Sequence, residues 1–120
     1  MFARIVSMQL KPNKNREFTE LLEKEIIPTL RKQQGFKDEM LFEAPGGPEI
    51  VAISFWESRE NAETYSDATY PKVLKTLAKV IERTPEVKTF QLAHSTMHKL
   101  GAAAFPNQSP ITSTTPGVGG

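Results

Sequence analysis

The chain has 120 residues, 15 of them basic and 14 acidic, with nine Pro, seven Gly and no Cys. That length holds one domain. A net charge of +1 and a longest basic run of only Arg31-Lys32 exclude a surface that tracks nucleic acid by bulk electrostatics. The lack of Cys excludes a disulfide scaffold, a Cys-type zinc site and a thiol nucleophile, and agrees with a reducing compartment. Every charged residue lies in 1–100, whereas 101–120 hold twelve Gly, Pro, Ser or Thr. The expected division is therefore a folding unit over 1–100 followed by a Gly/Pro/Ser/Thr-rich C-terminal tail over 101–120. A unit of that size buries one modest core, and pairing with a second copy would add useful buried area. Arg4, Ser7 and Gln9 break the N-terminal apolar stretch, so it does not read as a signal peptide, and the apolar run Ile50–Ile53 is far too short to span a bilayer. The expectation is a cytoplasmic protein with no membrane partner.

Residues 2–11 alternate in period 2, with Phe2, Arg4, Val6, Met8 and Leu10 on one face, and predict a strand. From Pro12-Asn13 the period changes. Phe18, Leu21, Leu22, Ile26 and Leu30 recur at helical spacing up to Gly35, with Asn13 or Asn15 available as N-cap. Pro28 lies inside this helix and cannot donate to the carbonyl of Lys24, which predicts a kink or break near Ile27. Phe36, Asp38, Met40 and Phe42 then alternate with Lys37, Glu39, Leu41 and Glu43. With the segment Ile50–Trp56 they flank Ala44-Pro45-Gly46-Gly47-Pro48, the pattern of a hairpin. The second strand of that hairpin is apolar on both faces, so both sides of the sheet should be covered there. Ser58 is placed to cap a helix that begins at Arg59 and carries Ala62 and Tyr65. A second helical stretch from Tyr70 to Ile81 ends before Thr84-Pro85. Residues 86–99 alternate again, with Phe90, Leu92 and His94 on one face, as a last strand.

Strand, helix, strand, strand, two-piece helix, strand is the order of an α+β, ferredoxin-like split βαβ fold: a four-stranded antiparallel sheet with helices on one face. The doubly apolar third strand implies that the other face is not meant for water. Isologous packing of two sheets is the economical way to cover it, which predicts a homodimer through the sheet faces.

Few residues declare chemistry by type. His94 and His98 fall on one face of the last strand, but four residues along a strand span about 13 Å, and no carboxylate follows residue 86, so no metal site is expected. A single histidine acting as a base suits proton transfer near neutrality. Gly-Val-Gly-Gly at 117–120 opens no helix and fails as a phosphate loop. The glutamates of the first helix read as a solvated face with a Glu20–Lys24 pair. The informative cluster is Trp56 at the end of the doubly apolar strand, followed by Tyr65 and Tyr70. Three rings near the opening between sheet and helices would stack on a flat organic molecule, unless Trp56 simply closes the core.

The strand running into Phe55-Trp56-Glu57-Ser58, the helix with Ala62 near its start, Gly35-Phe36 before the hairpin and the order of elements over 1–100 together resemble the antibiotic biosynthesis monooxygenase domain. The resemblance implies a dimeric α+β barrel with a pocket between sheet and helices in each protomer. It also implies oxidation of polyphenols or quinols by dioxygen with no metal, flavin or other cofactor. Trp56 matches the family's pocket-lining strand Trp. A haem-degrading branch uses an Asn on the first strand and a His after the Trp; residues 2–10 have no Asn and 57–93 no His, which argues against that activity. The quinol-oxidising branch sets Asn, Tyr and Arg donors around a phenolate. On this reading Tyr65, Tyr70 and His94 are the candidate catalytic donors or base, and Trp56, Arg4 and Phe90 the candidate pocket residues. The expected function is a cofactor-independent monooxygenase acting on a small aromatic or quinol-type compound. The alternative is a non-catalytic homodimeric protein of the same fold that binds such a molecule.

Overall fold

The computed structural model describes residues 1–97; the expectations that concern His98 and the tail from 101 onward lie outside the described residues. The elements are β1 (Phe2–Gln9), α1 (Asn15–Leu21), a π-helical turn (Leu22–Ile26), α2 (Ile27–Arg31), β2 (Phe36–Glu43), β3 (Glu49–Trp56), α3 (Arg59–Ala68), α4 (Tyr70–Leu77) and β4 (Glu86–Gln91). The strands form one antiparallel sheet in the order β2-β3-β1-β4. This is the ferredoxin-like arrangement the element order predicts.

The helical layer shows how local chemistry sets the fold. Pro28 carries no N–H and its ring crowds the carbonyl four residues back. The chain answers with a widened turn rather than a sharp kink: the Ile27 N–H donates to the Leu22 carbonyl, five residues earlier, and α2 restarts with Pro28 in its first turn, where no donor is needed. Phe18, Ile26 and Leu30 all remain buried against the sheet. Neither Asn13 nor Asn15 caps α1. Asn13 takes a φ of 62° in the preceding turn, which places it outside the helix, and Lys14 holds the N-cap position with no side-chain cap bond. At α3 the sequence expectation holds. The Ser58 hydroxyl accepts from the Asn61 N–H at 3.1 Å and donates to the Asn61 side-chain oxygen at 2.8 Å. Gly35, at a φ of 81°, lies so close to Asn61 that a Cβ there would run into that side chain.

Two registers differ from simple alternation. A bulge between Phe36 and Asp38 lets Phe36 pack on the helix side against Trp56, while Met40 lies on the opposite face with Ile53. β4 is shorter than expected. It ends at Gln91, paired with Phe2, and a bond from the Leu92 N–H to the Met1 carbonyl closes the ladder. Phe2, Val6, Met8, Ile50, Ala52 and Trp56 face the helices and build the main core. Ala3, Phe55, Met40 and Ile53 form a smaller cluster on the other face.

Candidate active site

Four chemically active side chains converge between the sheet and the helices. β1 places Arg4 on its helix-facing side because Arg4 alternates in phase with Phe2, Val6 and Met8. β2 places Glu39 opposite Ser54 of β3, and α3 and α4 bring Tyr65 and Tyr70 over the sheet. All of them line one cavity of about 40 Å³, whose remaining walls are mostly apolar, among them Phe18, Leu22 and Ile26.

Arg4 is the centre of this site. It is only 3% exposed, and among the described residues no ion pair engages it. Its guanidinium lies 4.0 Å from the centre of the Tyr70 ring and 5.3 Å from that of Tyr65, with one long hydrogen bond to the Ser66 hydroxyl at 3.5 Å. Aromatic faces thus hold the charge where a carboxylate pair would be usual. The Tyr70 hydroxyl is buried with no partner in good hydrogen-bond geometry; Arg4 beside it favours its ionised form by its charge and by a hydrogen-bonding approach of its side chain. Burial dominates over Arg4 at both phenols and pushes them up, with Glu39 adding to the rise at Tyr65, so both tyrosines are neutral donors near pH 7. Burial likewise pushes the Glu39 carboxyl up to about 8, against the downward pull of Arg4.

The far side of Arg4 borders a second, more open cleft of about 220 Å³ where the helices leave β4 uncovered, with Arg59, Ser66 and Thr89 on its rim. Arg4 is therefore a shared wall between the mostly apolar cavity and this larger cleft.

The residues singled out from the sequence divide into two groups. Arg4, Tyr65 and Tyr70 come together at the cavity. Trp56 is fully buried one layer behind it: its ring stacks on Tyr65 at 5.0 Å and its indole N–H donates to the Ser54 hydroxyl at 2.9 Å. It supports the cavity's walls instead of lining them. Phe90 pairs with Ala3 on the opposite face of the sheet and is 52% exposed. His94 lies past the end of β4 and is exposed. The structure does not bring these last two to the cavity. Glu39 and Ser54 went unnoticed in the sequence. In an alternating strand Glu39 falls on one face with Lys37 and Glu43 and looks solvated, so no sequence signal marks it. Among the described residues no group of three or more His, Cys, Asp or Glu is placed to hold a metal ion, and no helix is long and apolar enough to cross a membrane.

An antiparallel split βαβ sheet with a charged cavity beneath its helices defines a class of small α+β proteins. Residues 1–91 match the antibiotic biosynthesis monooxygenase family, and the chain belongs to it. Similar solved structures carry the same fold. A monooxygenase from the gene ActVA-Orf6 of Streptomyces coelicolor, in complex with nanaomycin D, aligns with a TM-score of 0.67 at 16% identity, covering 78% of this chain and 88% of that one. SnoaB, a cofactor-independent oxygenase from Streptomyces nogalater, aligns with a TM-score of 0.67 at 14% identity over 78% and 94% of the two chains. A putative antibiotic biosynthesis monooxygenase from Bordetella bronchiseptica aligns with a TM-score of 0.66 at 17% identity over 78% and 97%. No curated protein matches the sequence.

Proposed function

We propose that the protein is a cofactor-independent monooxygenase that oxidises a small hydroxylated aromatic compound with dioxygen, working as a homodimer paired through its outer sheet faces. The observation that carries this reading is the buried Arg4 cation, held by two tyrosine rings, with no ion pair among the described residues, beside the unpartnered Tyr70 hydroxyl. A cation and an orphan donor in an apolar cavity favour an anionic oxygen, and a phenolate is the form of an arene that gives an electron to dioxygen.

The reaction balances without an added reductant: a phenol unsubstituted at its para carbon plus O2 gives a para-quinone plus water. One oxygen atom enters the para carbon, the other leaves as water, and the substrate supplies every reducing equivalent. Arg4 would stabilise the phenolate, Tyr70 would donate to its oxygen, and Tyr65 would hold Arg4 in place. His94 and Phe90, remote from the cavity, are given no role. At about 40 Å³ the cavity is small beside the roughly 300–1,000 Å³ of ligand pockets. Binding a ring therefore requires the apolar wall of Phe18, Leu22 and Ile26 to move outward, and the π turn that carries two of them is a common site of such adaptation.

The test is oxygen uptake together with quinone absorbance, across a panel of hydroxylated naphthalenes and anthracenes. Enzyme-dependent uptake of one O2 per quinone supports the reading. Binding of the panel with no uptake by any member replaces it with the non-catalytic binding protein of the same fold.

A further inference from the structure

The electrostatic site described above stabilises an anion but leaves open how a neutral phenol loses its proton in a mostly apolar cavity. Resting on the monooxygenase reading, we propose that Glu39 is the general base of this site: its carboxylate takes the phenolic proton, and the phenolate so formed is held by Arg4. The O–H bond of the substrate breaks, the proton bonds to a Glu39 oxygen, and the electron pair stays on the phenolate oxygen, so the net charge of the cavity does not change.

Geometry carries the assignment. Glu39 sits on the helix-facing side of β2, opposite Ser54, and lines the same cavity as Arg4, Tyr65 and Tyr70. The titratable groups facing it are Arg4 from β1, Tyr65 from α3 and Tyr70 from α4; the segment from α1 through α2 contributes only apolar side chains to the cavity. Of these groups, Glu39 alone changes between protonated and proton-accepting forms within about a unit of neutral pH. Arg4 is always charged, and both phenols are pushed upward, chiefly by burial. The Glu39 carboxyl makes no ion pair with Arg4 despite sharing its cavity, so its oxygens are not committed to the cation. Burial raises it to about 8, near the operating range in which a general base is most effective.

The experiment compares the wild type with Glu39→Gln and Glu39→Asp on two readouts. The first is kcat/KM against pH by oxygen uptake, for 1-naphthol and for a nitro-substituted naphthol already ionised at the assay pH. For 1-naphthol the wild-type profile should rise with pH through a midpoint near 8. Glu39→Gln should lose that limb and at least ~100-fold in rate, and Glu39→Asp should keep the limb at reduced height. For the ionised naphthol Glu39→Gln should stay within about threefold of wild type, which a variant damaged in its fold would not. The second readout is proton release on binding 1-naphthol, by calorimetry in buffers of different ionisation enthalpy. Wild type should release a proton below pH 8 and none above it, and Glu39→Gln should lose that change. A Glu39→Gln profile that keeps both limb and rate overturns the assignment. If the wild type oxidises no phenol the monooxygenase reading fails by itself, and the proton release decides Glu39. A change through pH 8 seen only with Glu39 present upholds its role as proton acceptor, and the same release in both proteins overturns it.

Discussion

The two faces of the sheet invert the usual distribution of polarity. The face under the helices buries Arg4 and Ser54 among its apolar residues and leaves Glu39 half-buried. The opposite face carries buried Ala3 and Phe55 and partly buried Met40 and Ile53, with Phe42 53% and Phe90 52% exposed at its margins. Burying a cation and a carboxyl costs stability unless something compensates, whereas a contiguous apolar surface is costly until it is covered. On the proposed reading, the inner face serves chemistry at the expense of stability and the outer face serves association. β1 and β3 serve both at once, because alternate residues of a strand point to opposite sides.

The sharpest way to break this contrast is to neutralise the inner face. Arg4→Met keeps most of the side-chain volume but removes the charge, and should lower phenol oxidation by roughly 10²- to 10³-fold while unfolding no earlier than wild type, since an unpaired buried charge is lost. Parallel oxygen-uptake and thermal-unfolding measurements check both halves. Early unfolding would show that Arg4 is structural, held by its rings for stability alone.

Polar substitution of the outer face should have the converse effect. Phe42→Asp combined with Phe90→Asp alters side chains already half exposed, so the protomer should stay folded while a micromolar dimer in sedimentation becomes a monomer. A wild-type monomer would end the case for the outer face as an association surface.

A smaller effect concerns the pH dependence of stability. The Glu39 carboxyl titrates near 8 when folded and near 4.5 when exposed, so between those values the native state holds more protons than the unfolded one. Its contribution is then complete at the acid end and declines as pH rises toward 8. Urea unfolding at pH 5, 7 and 9 should show that decline in the wild type and a flatter response in Glu39→Gln.

The smallest change lies behind the cavity. Trp56→Phe removes the indole bond to Ser54 and part of the stack on Tyr65, and should cost about 1–2 kcal/mol by denaturant unfolding. Since Trp56 supports the wall without forming it, substrate affinity should weaken far less than in Arg4→Met. An equal loss would place the ring in contact with the ligand.

Much of this molecule was legible from local chemistry. Alternation marked β1, Pro28 marked the helical irregularity, Ser58 marked the start of α3, and the doubly apolar Ile50–Trp56 marked β3. Arg4 stood in phase with Phe2, Val6 and Met8, so its inward direction was already written in the period. These features depend on contacts within a few residues, where propensity and spacing suffice. The place of Glu39 did not: strict alternation groups it with Lys37 and Glu43 as solvated, and its burial follows from the bulge between Phe36 and Asp38 together with the helices that close over β2. Phe90 and His94 likewise depended on where β4 ends and which side of β1 it joins, and Trp56 on the depth at which Tyr65 stacks over it. Register, depth and the meeting of side chains from four elements are set by packing between segments far apart in the chain. The sequence by itself therefore determined the order of elements and their faces, and the tertiary structure alone decided which charges share a cavity.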